Sequence, residues 1–196
     1  MQSIYFLRHW PTAWNQQGLI QGRCDVPLTD TSIAQLKTLQ IPAVCQIKQW
    51  YVSPLQRAQQ TLVGLGLTGD VAEPLTEMDW GEWEGKSLIE LRGLDPRMAL
   101  EEPKGIHLQC PGGESPLEVQ HRLLNWLQTL ADTDETIGVV THKGVIRALL
   151  AAACQWNMTN KSPVKLNWQC LHQFGWDGKK LHLIKANIPL LNRTGP

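Results

Sequence analysis

Apolar and polar positions along this chain follow two periods. Short apolar runs at residues 3–7, 49–52, 71–76 and 136–141 have the length and the β-branched or aromatic content of buried strands. Between them apolar residues recur at helical spacing. Thr29 or Asp30 caps a helix bearing Ile33, Leu36 and Leu39. Ser53 is placed as an N-cap with Pro54 at the first helical position, opening a helix that runs to about Gly64. Ser115-Pro116-Leu117-Glu118 reads as a capping box before a helix that buries Leu117, Leu123, Leu124, Leu127 and Leu130. Residues 144–155 form an apolar helix. Residues 171–176 and 180–185 flank Asp177-Gly178, a hairpin signal. From Met78 to Gly113 the periodicity is weak, and the stretch reads as a small helical insertion or lid over the site.

Strands alternating with helices predict an α/β fold. The expected form is a three-layer sandwich whose mostly parallel central sheet is flanked by helices. A chain of 196 residues suggests one domain, 1–196, with 78–113 inserted. Ligands of such sheets bind at the carboxyl ends of the strands. His9, Ser53, Glu77 and His142 each follow a predicted strand, so they are expected to meet at one edge.

Composition narrows the function classes. With 42% hydrophobic and 18% charged residues the chain can bury a full core. A net charge of zero argues against nucleic acid and anionic membranes as partners, so any anion affinity must be local. No signal peptide or membrane-length apolar run is read. Five scattered cysteines without a CxxC pair fit reduced thiols in the cytoplasm, and neither a disulfide framework nor a zinc site. The nine tryptophans suit core packing, although Trp10, Trp80 and Trp83 lie inside the chemically interesting stretches and are candidates for lining a pocket.

Two histidines, two arginines and a carboxylate at element ends suggest a histidine nucleophile in an anion pocket. An imidazole nitrogen of His9 can attack phosphorus and carry the phosphoryl group covalently. Arg8 and Arg57 are candidate clamps, because guanidinium forks match phosphate oxygens. His142, before a helix N-terminus, would donate to the oxygens that gain charge. Glu77 is the chosen general acid and base, with Glu82 and Glu84 as competitors. Asn15, Gln21, Gly22 and Lys143 are candidate substrate contacts, together with Trp10 and Trp83.

The ordered blocks resemble a known family. Arg8-His9-x-x-Thr12-x-Trp14-Asn15, Ser53-Pro54-Leu55-x-Arg57, Glu77-x-x-x-Gly81-x-Trp83-Glu84-Gly85, Pro111-Gly112-Gly113-Glu114-Ser115 and His142-x-Gly144-Val145-Ile146-Arg147 are similar to the signatures of the histidine phosphatase, or phosphoglycerate-mutase-like, superfamily. The resemblance implies a phosphohistidine at His9, a pocket of Arg8, Arg57 and His142, and acid–base work at Glu77. It implies no metal and no organic cofactor. Trp10 and Lys143 stand where the family usually has glycine and a small residue. The layout looks like the phosphatase branch and is similar to α-ribazole phosphatases. That implies hydrolysis of a small phosphorylated metabolite, with inorganic phosphate as product and α-ribazole 5'-phosphate as one candidate substrate, by a monomer or homodimer. The alternatives are mutase-type phosphoryl transfer and a silent phospho-ligand binder.

Overall fold

A computed structural model describes residues 1–130 and 135–193 of the chain. In chain order its elements are β1 (Gln2–Arg8), α1 (Ala13–Gln16), α2 (Asp30–Leu36), β2 (Leu39–Gln40), β3 (Gln49–Val52), α3 (Gln56–Gly64), β4 (Asp70–Val71), α4 (Leu88–Leu94), α5 (Pro96–Glu101), α6 (Pro116–Thr129), β5 (Ile137–Thr141), α7 (Lys143–Cys154), β6 (Cys170–Trp176), β7 (Leu181–Pro189) and β8 (Leu191–Asn192). The main sheet has the order β4-β3-β5-β1-β6-β7. The four strands from β4 to β1 run parallel, and β6 and β7 are antiparallel to their neighbours. β2 and β8 pair separately.

Alternation along β1 shows why this is a three-layer structure. Ile4 and Phe6 pack with α6 and α7 residues such as Leu123 and Ile146, whereas Tyr5 and Leu7 pack with Leu36, Ala58 and Leu62 of α2 and α3. Successive side chains of a strand point to opposite faces, so a central strand covered on both sides must be apolar throughout. β5 meets the same demand and is buried at every position.

Three local expectations are corrected. The strand expected over 71–76 stops at Val71, and Glu73–Leu75 forms a 3-10 turn. Pro74 inside that turn has no N–H to give a ladder. Ser53 is not a helix cap: α3 starts at Gln56 after Leu55, and Pro54 lies outside it. The Ser53 hydroxyl accepts from the Leu55 N–H at 3.3 Å. Leu39, expected in a helix, belongs to β2, because α2 ends at Leu36. The capping box at Ser115 is present, with Glu118 closing it, although Val119 takes a buried position on α6 and Leu117, Leu124 and Leu130 are only partly covered. Residues 78–113 hold α4, α5 and two 3-10 segments, Gly81–Trp83 and Glu102–His107.

Candidate active site

The register of the central strands sets the geometry. Arg8 faces Thr141 across β1 and β5, and Val52 faces Val140 across β3 and β5. One step further along, the His9 N–H donates to the Thr141 carbonyl at 2.9 Å, and the Ser53 N–H donates to the Val140 carbonyl at 3.1 Å. Three adjacent strands therefore deliver His9, Ser53 and His142 to one edge. Glu77 comes to the same edge from the segment after the 3-10 turn, where it meets the Gly144 N–H, and not from a strand end as expected.

His9 and His142 have ring centroids 5.1 Å apart and are almost wholly buried. His9 Nδ1 lies 2.7 Å from the Trp10 carbonyl oxygen. A carbonyl only accepts, so Nδ1 carries the hydrogen and Nε2 keeps its lone pair. Burial, then the charges of Arg8 and Arg57, push the His9 pKa well below the usual histidine value. Burial, then Arg57, do the same to His142, whose Nε2 is 2.7 Å from the Ser53 hydroxyl.

Arg57 is fully buried on the first turn of α3. Its terminal nitrogens donate to the carbonyls of Cys24 and Gly22, both at 2.7 Å, and fix the polar loop that follows α1. The Nε atoms of Arg57 and Arg8 are buried without a protein partner. Burial lowers both guanidinium pKa values, and the Glu77 carboxylate acts against that. Buried donors of this kind call for an anion.

Backbone donors hold Glu77. The Met78 N–H donates to its Oε1 at 2.8 Å, and the Gly144 N–H donates to its Oε2 at 3.1 Å. A Cβ on Gly144 would sit 2.4 Å from Oε1, so only glycine permits this approach. Arg122 on α6 clamps the segment from behind, donating to the carbonyls of Pro74, of Thr76 at 2.7 Å and of Glu77 at 3.3 Å. It pairs with Glu114 at 3.0 Å, and Glu114 accepts from the Asp79 N–H at 2.9 Å. The two competing carboxylates stand elsewhere. Glu82 pairs with Arg97 at an exposed position, and Glu84 accepts from the N–H groups of Arg23 and Cys24.

Arg8, His9, Arg57 and Glu77 line one cavity of about 620 Å³, as do Asn15, Gln21, Gly22 and Lys143. Thr12 caps α1, exchanges hydrogen bonds with Asn15 and donates to Gln21 Oε1 at 2.8 Å, which orders this side of the pocket. Two expected substrate contacts are corrected. Trp10 is 1% exposed, its indole N–H donating to Gln35, and Trp83 is fully buried with its indole N–H on Asp95. Both are core residues and neither lines the cavity; Trp80 does. Sequence reasoning missed two neighbours of the site. Arg122 lies inside an amphipathic helix without a motif, and Trp168 carries no local signal at all; Ser53 stands at the expected edge, but as the partner of His142 and not as a cap. Arg8 and Lys143 both lie over the Trp168 ring, at 5.8 and 5.7 Å from its centroid. Among the described residues no three His, Cys, Asp or Glu side chains cluster to hold a metal ion, and no helix is long and apolar enough to cross a membrane.

A family model described as histidine phosphatase superfamily (branch 1) matches residues 4–189. The chain belongs to the histidine phosphatase superfamily. Phosphoserine phosphatase 1 of Hydrogenobacter thermophilus is 28% identical over 162 residues, 78% of this chain and 76% of that protein. The adenosylcobalamin/alpha-ribazole phosphatase of Salmonella typhimurium is 26% identical over 157 residues, 76% of this chain and 77% of its own length. Among solved structures, the phosphoserine phosphatase of Entamoeba histolytica, determined in complex with 3-phosphoglyceric acid, superposes with a TM-score of 0.77 at 25% identity, covering 95% of this chain and 97% of its own. The sheet and its flanking helices are thus those of a histidine phosphatase, and the relatives named here are phosphatases of that superfamily acting on different phosphorylated metabolites.

Proposed function

We propose that the protein is a phosphomonoesterase that hydrolyses a small phosphorylated metabolite through a phosphohistidine at His9. The observation that carries this is the bond from His9 Nδ1 to the Trp10 carbonyl, which leaves Nε2 free among buried, unpaired arginine donors. Nε2 attacks phosphorus, and the bond from phosphorus to the ester oxygen breaks. Arg8 and Arg57 hold the phosphoryl oxygens, and His142 donates to the charge that develops there. Glu77 protonates the departing alcohol. It then takes a proton from water, whose oxygen attacks phosphorus, and the P–N bond breaks to release phosphate. Because His9 titrates well below the usual value, it stays nucleophilic in mildly acidic solution. No step calls for a metal or organic cofactor. In this reading residues 1–196 form one domain, 78–113 cap the cavity, and Asn15, Gln21, Gly22 and Lys143 contact substrate.

The silent-binder alternative is motivated by Trp10 and Lys143, which stand where the family usually has glycine and a small residue. Trp10 turns into the core and offers only its carbonyl to His9, which favours a working site over an obstructed one. Phosphate release should be measured on p-nitrophenyl phosphate and on a panel that includes phosphoserine, 3-phosphoglycerate and α-ribazole 5'-phosphate. His9→Ala is expected to abolish release, and labelled wild-type enzyme to carry acid-labile phosphate. Isomerisation of phosphoglycerate exceeding its hydrolysis would replace hydrolysis by mutase chemistry. Normal release by His9→Ala would refute the mechanism.

A further inference from the structure

Among the described residues, two cations in the cavity wall have no anionic partner in an ion pair. Lys143 and Arg147 stand one turn apart on α7, and both line the cavity. At this spacing they share a helix face, where like charges repel. Among the described residues their contacts are with aromatic rings, Lys143 over Trp168 at 5.7 Å and Arg147 over Trp156 at 5.0 Å, and neither takes part in an ion pair or hydrogen bond. Arg8 shares the Trp168 ring with Lys143. Burial, Arg8 and Arg147 all lower the Lys143 pKa, and only Glu77 opposes them; burial lowers that of Arg147.

The phosphoryl group does not account for these charges. Arg8, Arg57 and His142 already surround its place. Lys143 follows His142 directly, and Arg147 lies about 6 Å further along the helix axis. The positive wall of the cavity therefore continues along α7, beyond the groups that would hold the phosphoryl oxygens. Glu102, which also lines the cavity, is already paired with Arg92. Ile20, Trp80, Met98 and Leu108 add apolar surface to the same cavity. A neutral alcohol would leave both cations uncompensated. An acidic one would sit against them and relieve their mutual repulsion.

We infer that Lys143 and Arg147 form a second anion subsite, and that the preferred substrate is a phosphomonoester whose alcohol carries a carboxylate or a second phosphate. This rests on the phosphatase reading above and narrows it. The test compares matched pairs: 3-phosphoglycerate with glycerol 3-phosphate, and fructose 1,6-bisphosphate with fructose 6-phosphate. In wild type the doubly anionic member of at least one pair should lead by about tenfold or more in kcat/KM. Which pair shows it tells carboxylate from phosphate. Lys143→Met and Arg147→Gln should each shrink that preference severalfold, and the double variant should remove it. Calorimetric binding of the same pairs to His9→Ala reads the subsite whether or not the wild type turns substrate over, so a failed phosphatase reading and a failed subsite give different results. Equal binding and equal turnover of both members, or a preference that survives in the double variant, would overturn the inference.

Discussion

At the scale of single residues, the site depends on one missing side chain. Gly144 lets its own N–H reach the Glu77 carboxylate, and a methyl group there would lie 2.4 Å from Oε1. Gly144→Ala must therefore displace the proposed acid–base group. Because misplacement by about 1 Å can cost about a hundredfold, kcat on p-nitrophenyl phosphate is expected to fall by roughly that factor. The loss should be far smaller in a Glu77→Gln background, where the carboxylate chemistry is already gone. Additive losses in that double-mutant cycle would show that Gly144 acts through something other than Glu77. Arg8, His9, Arg57 and His142 are legible together in the sequence because each sits at the end of a strand or in the first turn of a helix, whereas Glu77 is expected at the end of a strand that in fact stops at Val71. The reading of Trp10 and Trp83 fails for a physical reason. A tryptophan beside a reactive residue serves a core as readily as a pocket, and chain proximity says nothing about which way it turns. Both turn inward and satisfy their indole N–H groups there.

Among the elements, α6 does work that its pattern does not disclose. Its apolar stripe and capping box are plain in the sequence, and both are present. Arg122, on a partly buried turn of that helix, looks like a solvated charge until the chain folds. It then holds the carbonyls of Pro74, Thr76 and Glu77 and pairs with Glu114. Arg122 is thus a positioning residue for Glu77. Arg122→Ala should lower kcat roughly tenfold to a hundredfold while KM changes little, because the phosphate contacts stay in place. Arg122→Lys should rescue only part of it, since one ammonium cannot span the donors of a guanidinium. If kcat is unchanged and only the melting temperature falls, the clamp is structural alone. The misread strand over 71–76 belongs to the same region. Pro74 ends the ladder, and the carbonyls it frees become the acceptors for Arg122.

For the whole molecule, the parallel core was legible from the buried apolar runs, and the C-terminal hairpin from Asp177-Gly178. Strand order, the cavity and the packing of distant residues were not, because they follow from long-range register that no local pattern encodes. His172 illustrates this. It lies on β6, fully buried beside Trp168, and its Nδ1 accepts from the Asn187 N–H at 3.2 Å. An accepting Nδ1 places the hydrogen on Nε2, which has no partner. Burial lowers the pKa of His172 from 6.5 to about 4. Between those values the unfolded chain holds a proton that the folded one does not, so stability rises with pH and is lost as pH falls through this window. His9 and His142 are displaced in the same direction and deepen the loss. His172 alone should cost on the order of 3 kcal/mol between pH 7 and pH 4. Urea unfolding followed across that range should show a steep decline in wild type and a shallower one in His172→Gln, whatever the variant's stability at neutral pH. Parallel declines would mean that His172 is protonated in the fold, and that its buried Nε2 is not the source of the acid sensitivity.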